Sequence, residues 1–193
     1  MLNIYSFNQY LLKRQIFALT GTFRIYGPDM NLLMYSRQKM FRLKEDIRVY
    51  NNESESQELL HIQARQLLDF SAAYDIYDML ESKKIGAVRR QGLRSLFRDE
   101  WLVLDNNDVQ IGTLIEDTQG RALLRRFLLG VFLPQNYDLL QNGIRTADFR
   151  QNFNLFRYEL VIDLSENISH QLDPRLAIAL GILLAAIEGR QSD

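Results

Sequence analysis

The chain of 193 residues contains no cysteine and only two histidines, His61 and His170. The missing thiols exclude disulfide bonds, thiolate zinc sites and cysteine nucleophiles, and they agree with a reducing compartment, so we expect a cytoplasmic protein. The histidines have no metal-binding spacing, and the chain has no P-loop, dinucleotide-binding or G-x-S-x-G motif. The sequence therefore predicts a protein that is not an enzyme and has neither a metal nor a cofactor.

A strong charge of one sign is also missing. The chain has 23 basic and 24 acidic residues, a net charge of −1, which argues against a nucleic-acid-binding protein. The N-terminal residues MLNIYSFNQYLLKRQIF lack the basic start, apolar run and cleavage site of a signal peptide. Hydrophobic residues at 47% and charged residues at 24% are typical of a globular chain, and the length predicts a single domain over 1–193.

No apolar run is long enough to cross a membrane, so we expect no transmembrane segment. The C-terminal run 176–187 has twelve apolar or glycine residues, about 18 Å of helix against a hydrocarbon core of roughly 30 Å. Asp173 as N-cap and Pro174 as first helical residue predict a helix over about 173–188. The helix is apolar on every side, which favours the interior of a closed sheet. A helix on an open core would have a polar stripe.

Most of the remaining chain predicts short β-strands. Residues 22–26, 46–50, 101–105, 109–115 and 155–164 are rich in β-branched and aromatic side chains. Turn residues cluster at 27–31, 51–56 and 105–108. Two further helices are predicted, a short one over 64–70 and an amphipathic one over 120–130. We expect the second to pack across a barrel end, and docking on a membrane surface is the alternative.

The chain repeats itself at the scale of a hairpin. Residues 14–26, 37–50 and 90–104 share Arg-Gln, a phenylalanine and then a strand, and the first two repeats match at a spacing of 24 residues. Such repeats indicate duplicated β-meanders, and closure into a barrel removes the exposed edges of the sheet. The predicted fold is mainly β (α+β), a closed antiparallel β-barrel around a buried central C-terminal helix.

Four segments carry a resemblance to a known family: LLKRQIFALTGTFRIYGPDMNLLMYSRQKMFRLKEDIRVY, ARQLLDFSAAYDIYD, KIGAVRRQGLRSLFRDEWLVLD and the apolar C-terminal run. Over residues 10–188 the chain resembles the tubby C-terminal-like superfamily, in particular its LURP-one-related and phospholipid-scramblase-like branch. The resemblance implies about twelve antiparallel strands around a central helix. It also implies phosphoinositide binding through basic residues on the barrel surface.

The chain departs from the scramblase relatives in three respects. Those relatives carry a cysteine-rich lipidation segment, a calcium-binding segment and a membrane-inserting tail. This chain has no cysteine, and its apolar run is too short to span a bilayer. Residues 105–112, DNNDVQIG, lack the glycine and the final glutamate of a calcium loop. We therefore expect a hairpin turn there.

Two stretches concentrate positive charge: 83–98 has six basic residues and no acid, and 37–44 has four basic residues. Because both belong to the repeat, we expect them to lie close together, where guanidinium groups can hold a phosphate. The alternative is a solvated face, since acids adjoin both stretches. The candidate anion- or lipid-binding residues are Arg37, Lys39, Arg42, Lys83, Lys84, Arg89, Arg90 and Arg94.

The sequence thus predicts a non-catalytic, cytoplasmic and peripheral membrane protein that recognises a phospholipid or phosphoinositide headgroup. A protein-interaction scaffold, with a partner on the apolar segment 125–137, is the alternative. An enzyme with a small ligand at the barrel end ranks last, because the helix fills the barrel. His61 alternates with apolar neighbours and is expected to lie on the outer face of a strand.

Overall fold

The computed structural model describes residues 3–15, 20–39, 46–65, 73–91, 100–116, 135–152, 157–168 and 171–188. The described residues form twelve strands and one helix. The elements are β1 (Gln9–Gln15), β2 (Thr20–Tyr26), β3 (Leu32–Lys39), β4 (Asp46–Tyr50), β5 (Glu58–Ala64), β6 (Ala73–Asp78), β7 (Lys83–Arg90), β8 (Glu100–Leu104), β9 (Gln110–Glu116), β10 (Asn136–Gln141), β11 (Ile144–Asn152), β12 (Arg157–Asp163) and α1 (Pro174–Glu188).

The strands form one closed barrel. Each strand pairs antiparallel with its neighbours in sequence, and β1 closes the ring by pairing with β12, where Tyr10 lies opposite Ile162. Both strands alternate, so that Tyr10, Leu12 and Leu160 are buried while the intervening side chains are more exposed. The prediction of a closed antiparallel barrel is confirmed, and closure leaves no unpaired sheet edge.

Helix α1 lies inside this barrel. The helix is buried throughout Leu176–Ala186. It contacts β12 and β1 on one side and β5 and β7 on the other, and these two pairs of strands face each other across the ring. The Asp173 carboxylate accepts the N–H of Arg175 at 2.9 Å, and Pro174 is the first helical residue. The predicted central helix is confirmed in position and in its N-cap.

The predicted segments outside the helix have mixed outcomes. All five predicted strands correspond to observed ones, namely β2, β4, β8, β9 and β12. The predicted helix 64–70 is wrong at its first residue, because Ala64 is the last residue of β5 and lies opposite Tyr74 of β6. Residues 66–70 and the predicted helix 120–130 lie outside the described residues. In the ranges that are described, no helix has the length and hydropathy to cross a bilayer.

Polar contacts hold both ends of α1 to the barrel wall. At the N-terminal end, the Arg175 guanidinium contacts Asp173 and lies 2.5 Å from Oδ2 of Asp78, at the end of β6. At the C-terminal end, Nη1 of the buried Arg14 on β1 donates to the backbone carbonyl of Ala185 at 2.9 Å. These contacts satisfy helix-end groups and side chains that would otherwise be buried without partners.

Asp78 is ionised despite its burial, with 2% of its surface exposed. Burial alone raises its pKa, but backbone N–H groups of Glu81 and Leu80 and the Arg175 guanidinium outweigh burial, so that the pKa is lowered below the ordinary 3.8. A lowered pKa in the folded state stabilises the fold above the unfolded pKa, and this contribution is lost as the pH falls through the folded pKa.

We expect Gly86→Ala to destabilise the fold by about 1–3 kcal/mol, because the new Cβ over-packs the contact between β7 and the helix. It would lie 2.5 Å from the carbonyl oxygen of Leu104 and 2.9 Å from Cδ2 of Leu176. The control is Gly181→Ala on the helix itself. There the added methyl lies 2.6 Å from Cδ1 at the end of the Ile162 side chain, which can move, and 3.5 Å from Cδ2 of Leu160, which is an ordinary contact. The gain in helix propensity offsets the contact with Ile162. Urea denaturation of the two variants measures the difference; equal stabilities would contradict a close approach at Gly86.

We expect Arg175→Gln to lower the free energy of unfolding at pH 7 by roughly 3 kcal/mol, because the ionised Asp78 loses its buried partner. The loss should shrink as the pH falls from 3.8 through the lower pKa that Asp78 has in the folded state, because a protonated carboxyl group needs no cation. Denaturation at pH 7 and pH 3 tests this. Arg48→Gln, which removes an exposed ion pair with Glu58, serves as the control and should change stability by less than about 1 kcal/mol. A loss for Arg175→Gln that is the same at both pH values would rule out the ion pair as its cause.

Candidate functional site

The first predicted basic stretch, 37–44, is described only in part. Arg37 is exposed on β3, where its Nε donates to the Tyr35 hydroxyl at 2.9 Å and lies 4.0 Å from a carboxylate oxygen of Glu55. Lys39 is the last residue of β3, and Arg42 lies outside the described residues. Arg37 is therefore engaged with side chains of its own chain.

The two lysines that begin β7 also contact acids. Lys83 pairs with Glu81 at the surface. Lys84 is more enclosed: its Nζ lies 2.8 Å from Oδ1 of Asp108 and 2.9 Å from Oδ1 of Asp75. Both carboxylates also receive hydrogen bonds from the guanidinium of Arg65. Lys84 thus belongs to a cluster of two cations and two carboxylates on the barrel wall.

The pKa values of the two acids reflect this cluster. Burial raises the pKa of Asp75, but the hydrogen bonds from Arg65 and Lys84 outweigh burial and lower it overall. The same two cations lower the pKa of Asp108, which is exposed. The cluster is therefore a stable set of ionised side chains, and its cations are already neutralised.

The other end of β7 differs. Arg89 is exposed, lies opposite Ala73 of β6 and Leu102 of β8, and makes no hydrogen bond or ion pair with any residue that the structure describes. Arg90 is half-buried on the inner face, with its guanidinium carbon 6.0 Å from the centre of the Trp101 ring. Arg94 lies outside the described residues. Among the predicted cations whose side chains the structure describes, Arg89 is the one that is placed to meet an anion from outside.

The expectation that the two basic stretches lie close together is wrong for the described residues. Three strands, β4, β5 and β6, separate β3 from β7, a distance of about 19 Å along the wall. Within β7, Lys83 and Arg89 are six residues apart, about 20 Å of strand. The similarity of the repeats places both stretches on comparable strands but does not bring them together.

Sequence reasoning missed a polar cavity of about 230 Å³ on the outer face of β11 and β12. Arg150 bridges Asp148 and Asp163, which are opposite each other in the strand register. Burial raises the pKa of Asp148. The lining residues are Arg145, Asp148, Arg150, Asp163, Ser165 and Glu166. No motif marks this set, because it is assembled by the pairing of two strands.

The other sites considered from sequence have structural roles. His61 lies on the outer face of β5, with Nε2 2.9 Å from Oδ1 of Asp46, which confirms its expected placement. Residues 105–109 form a hairpin turn in which Oδ1 of Asp105 accepts the N–H groups of Asn107 and Val109. In the part of the chain that is described, no three His, Cys, Asp or Glu side chains are placed to hold a metal.

The apolar segment 125–137 is described only at its end. Tyr137 on β10 is buried, and its hydroxyl donates to the Gln135 side chain at 2.9 Å. Residues 125–134 lie outside the described residues. Within the described part of the segment, Gln135 and Tyr137 are therefore buried, whereas Asn136 is exposed.

No protein-family model, no curated protein and no solved structure matches this chain. The resemblance to the tubby C-terminal-like superfamily stays a prediction from the residues, and function has to be argued from the barrel itself.

We expect Lys84→Gln to destabilise the fold by about 1 kcal/mol, because Asp75 and Asp108 lose a shared cation in a partly enclosed cluster. Lys83→Gln is a matched control one residue away. Its pair with Glu81 has both side chains more than half exposed, so its loss should leave stability unchanged. Urea denaturation at pH 7 compares the two variants. Equal effects would show that the cluster contributes no more than a surface pair.

Proposed function

We propose that this protein is a non-catalytic binding module that recognises an anionic group through the outer face of β7. The group best suited to it is a phospholipid or phosphoinositide headgroup at a membrane surface. The observation that carries the proposal is Arg89, an exposed guanidinium that has no partner among the described residues. A guanidinium presents five donors in a fork that matches phosphate oxygens.

The neighbours of Arg89 on the wall support this role. Ala73 and Leu102, opposite Arg89 on the two adjacent strands, and Ala87, two residues earlier on β7, are apolar and buried. The nearest carboxylate along β6, that of Asp75, is bound to Arg65 and Lys84. No side chain in this set competes with an external anion for Arg89.

Because the interior of the barrel is filled, recognition at its outer surface is favoured. Side chains of α1 occupy the space that a ligand would take in an open barrel. Recognition is then left to the outer wall and the ends, where a peripheral protein on the cytoplasmic face would meet anionic lipids. The resemblance to tubby-like domains supports the same class of ligand.

The test is co-sedimentation with vesicles of neutral lipid, of neutral lipid with phosphatidylserine, and of neutral lipid with a phosphoinositide, each over a salt series. We expect binding to the anionic vesicles only, weakened by salt. A cation near an anionic surface contributes about 1 kcal/mol, so Arg89→Gln should lower the affinity roughly fivefold.

Arg48→Gln is the charge-matched control, because Arg48 lies on another strand and is paired with Glu58. It should bind anionic vesicles like the unmodified protein. Equal losses of vesicle affinity in the two variants would show that the effect depends only on net charge. An absence of binding to every vesicle would refute the proposal. Stronger binding to the phosphoinositide than to phosphatidylserine at equal charge would identify the headgroup.

A further inference from the structure

A second surface lies at the end of the barrel where α1 begins. In an antiparallel meander alternate connections lie at the same end, so six described segments share this end. We call these segments the rim; they are 27–31, 51–57, 79–82, 105–109, 142–143 and the described residues of 164–173. The rim lies at the opposite end of β7 from Arg89.

The rim carries the exposed apolar side chains of the molecule as described. Five large apolar residues are exposed in the described ranges, and all five lie in the rim or directly beside it. Ile144 and Ile168 are the most exposed, at 69% and 85%. Single exposed apolar residues are ordinary on a protein surface, so the feature of interest is that Ile144 and Ile168 lie close to the polar cavity. The five residues are Met30, Leu80, Val109, Ile144 and Ile168.

The rim is also acidic. Its loops contain eight acidic residues and no lysine or arginine. Basic side chains of the strands and of the helix pair with six of these acids, as Arg24 does with Glu53, but no lysine or arginine lies in the loops themselves. The eight acids are Asp29, Glu53, Glu55, Glu81, Asp105, Asp108, Glu166 and Asp173.

The polar cavity lies at one corner of this rim. It contains three carboxylates and two guanidinium groups, a net charge of −1. Ile144 directly precedes Arg145 of the lining, and Ile168 follows Glu166 by two residues, so the two most exposed apolar side chains flank the cavity. At about 230 Å³ the cavity is smaller than a typical small-molecule pocket and suits a single long side chain.

We propose that this corner docks a basic, amphipathic segment of a protein partner. Arg145 binds Glu166, and Arg150 binds Asp148 and Asp163, so the three carboxylates of the cavity exceed its guanidinium groups by one. A lysine or arginine of the partner enters the cavity and balances this remaining charge, and apolar side chains beside it cover Ile144 and Ile168. Charge complementarity selects a basic segment, since an acidic rim repels an anionic membrane and attracts a cationic chain. Apolar anchors around a charged contact are the usual composition of a protein interface.

The test uses two labelled 14-residue amphipathic helical peptides. One consists of lysine and leucine, and the other has glutamate at each lysine position. Fluorescence anisotropy measures their binding to the full chain. We expect the lysine peptide to bind, more weakly as salt increases, and the glutamate peptide not to bind. In a titration followed by NMR, the amide signals that shift should be those of 144–150 and 163–168.

Ile144→Ser combined with Ile168→Ser should lower the affinity for the lysine peptide about tenfold. The matched control is Leu80→Ser, an exposed apolar residue on the far side of the rim, which should bind within twofold of the unmodified protein. Both variants alter only exposed side chains, so we expect both to fold, and circular dichroism checks this.

Four outcomes would overturn the proposal: no binding of the lysine peptide, equal binding of both peptides, an equal loss in the Leu80→Ser control, or a loss of vesicle binding in place of peptide binding in the double variant. Arg89→Gln should leave peptide binding unchanged. The peptide result and the vesicle result are therefore independent, and either proposal can fail without the other.

Discussion

The enclosure of an apolar helix by twelve strands is the constraint on which the rest of the structure depends. A helix without a polar side is stable only where every side meets apolar atoms, and the closed wall provides this around Leu176–Ala186. Enclosure in turn demands partners for the polar groups that remain inside. Arg14 and Asp78 meet that demand at the two ends of the helix. The interior is thereby filled, which leaves the outer wall and the two ends as the surfaces open to a partner.

On the outer wall, most cations are bound by acids of the same chain. Arginine and lysine side chains are long enough to reach carboxylates on neighbouring strands, and the pairs stabilise the register while they neutralise the surface. Lys84 lies between two carboxylates, whereas Arg89 on the same strand has apolar neighbours on both sides. Whether a basic residue can meet an external anion is therefore decided by its cross-strand neighbours and not by the local density of positive charge.

This dependence explains what the sequence could and could not predict. The helix was predictable because its signals are local: the N-cap at Asp173, the proline after it and an apolar face all round. The strands were predictable for the same reason, as the alternation in β12 shows. The position of a strand around the ring is not a local property, so the similarity of the repeats wrongly predicted that the described parts of 37–44 and 83–98 lie side by side. Likewise Asp148 and Asp163 meet only through strand register, which no pattern within either strand encodes.

The two proposed surfaces lie toward opposite ends of the barrel, as the course of the strand β7 shows. β7 begins just after the rim loop 79–82 and ends at Arg89 and Arg90, about 25 Å further along. The rim loops are acidic and Arg89 is cationic, so the two proposed surfaces favour partners of opposite charge. Because a packed helix fills the barrel between the two, their separation is fixed by the fold, and both surfaces can be occupied at once.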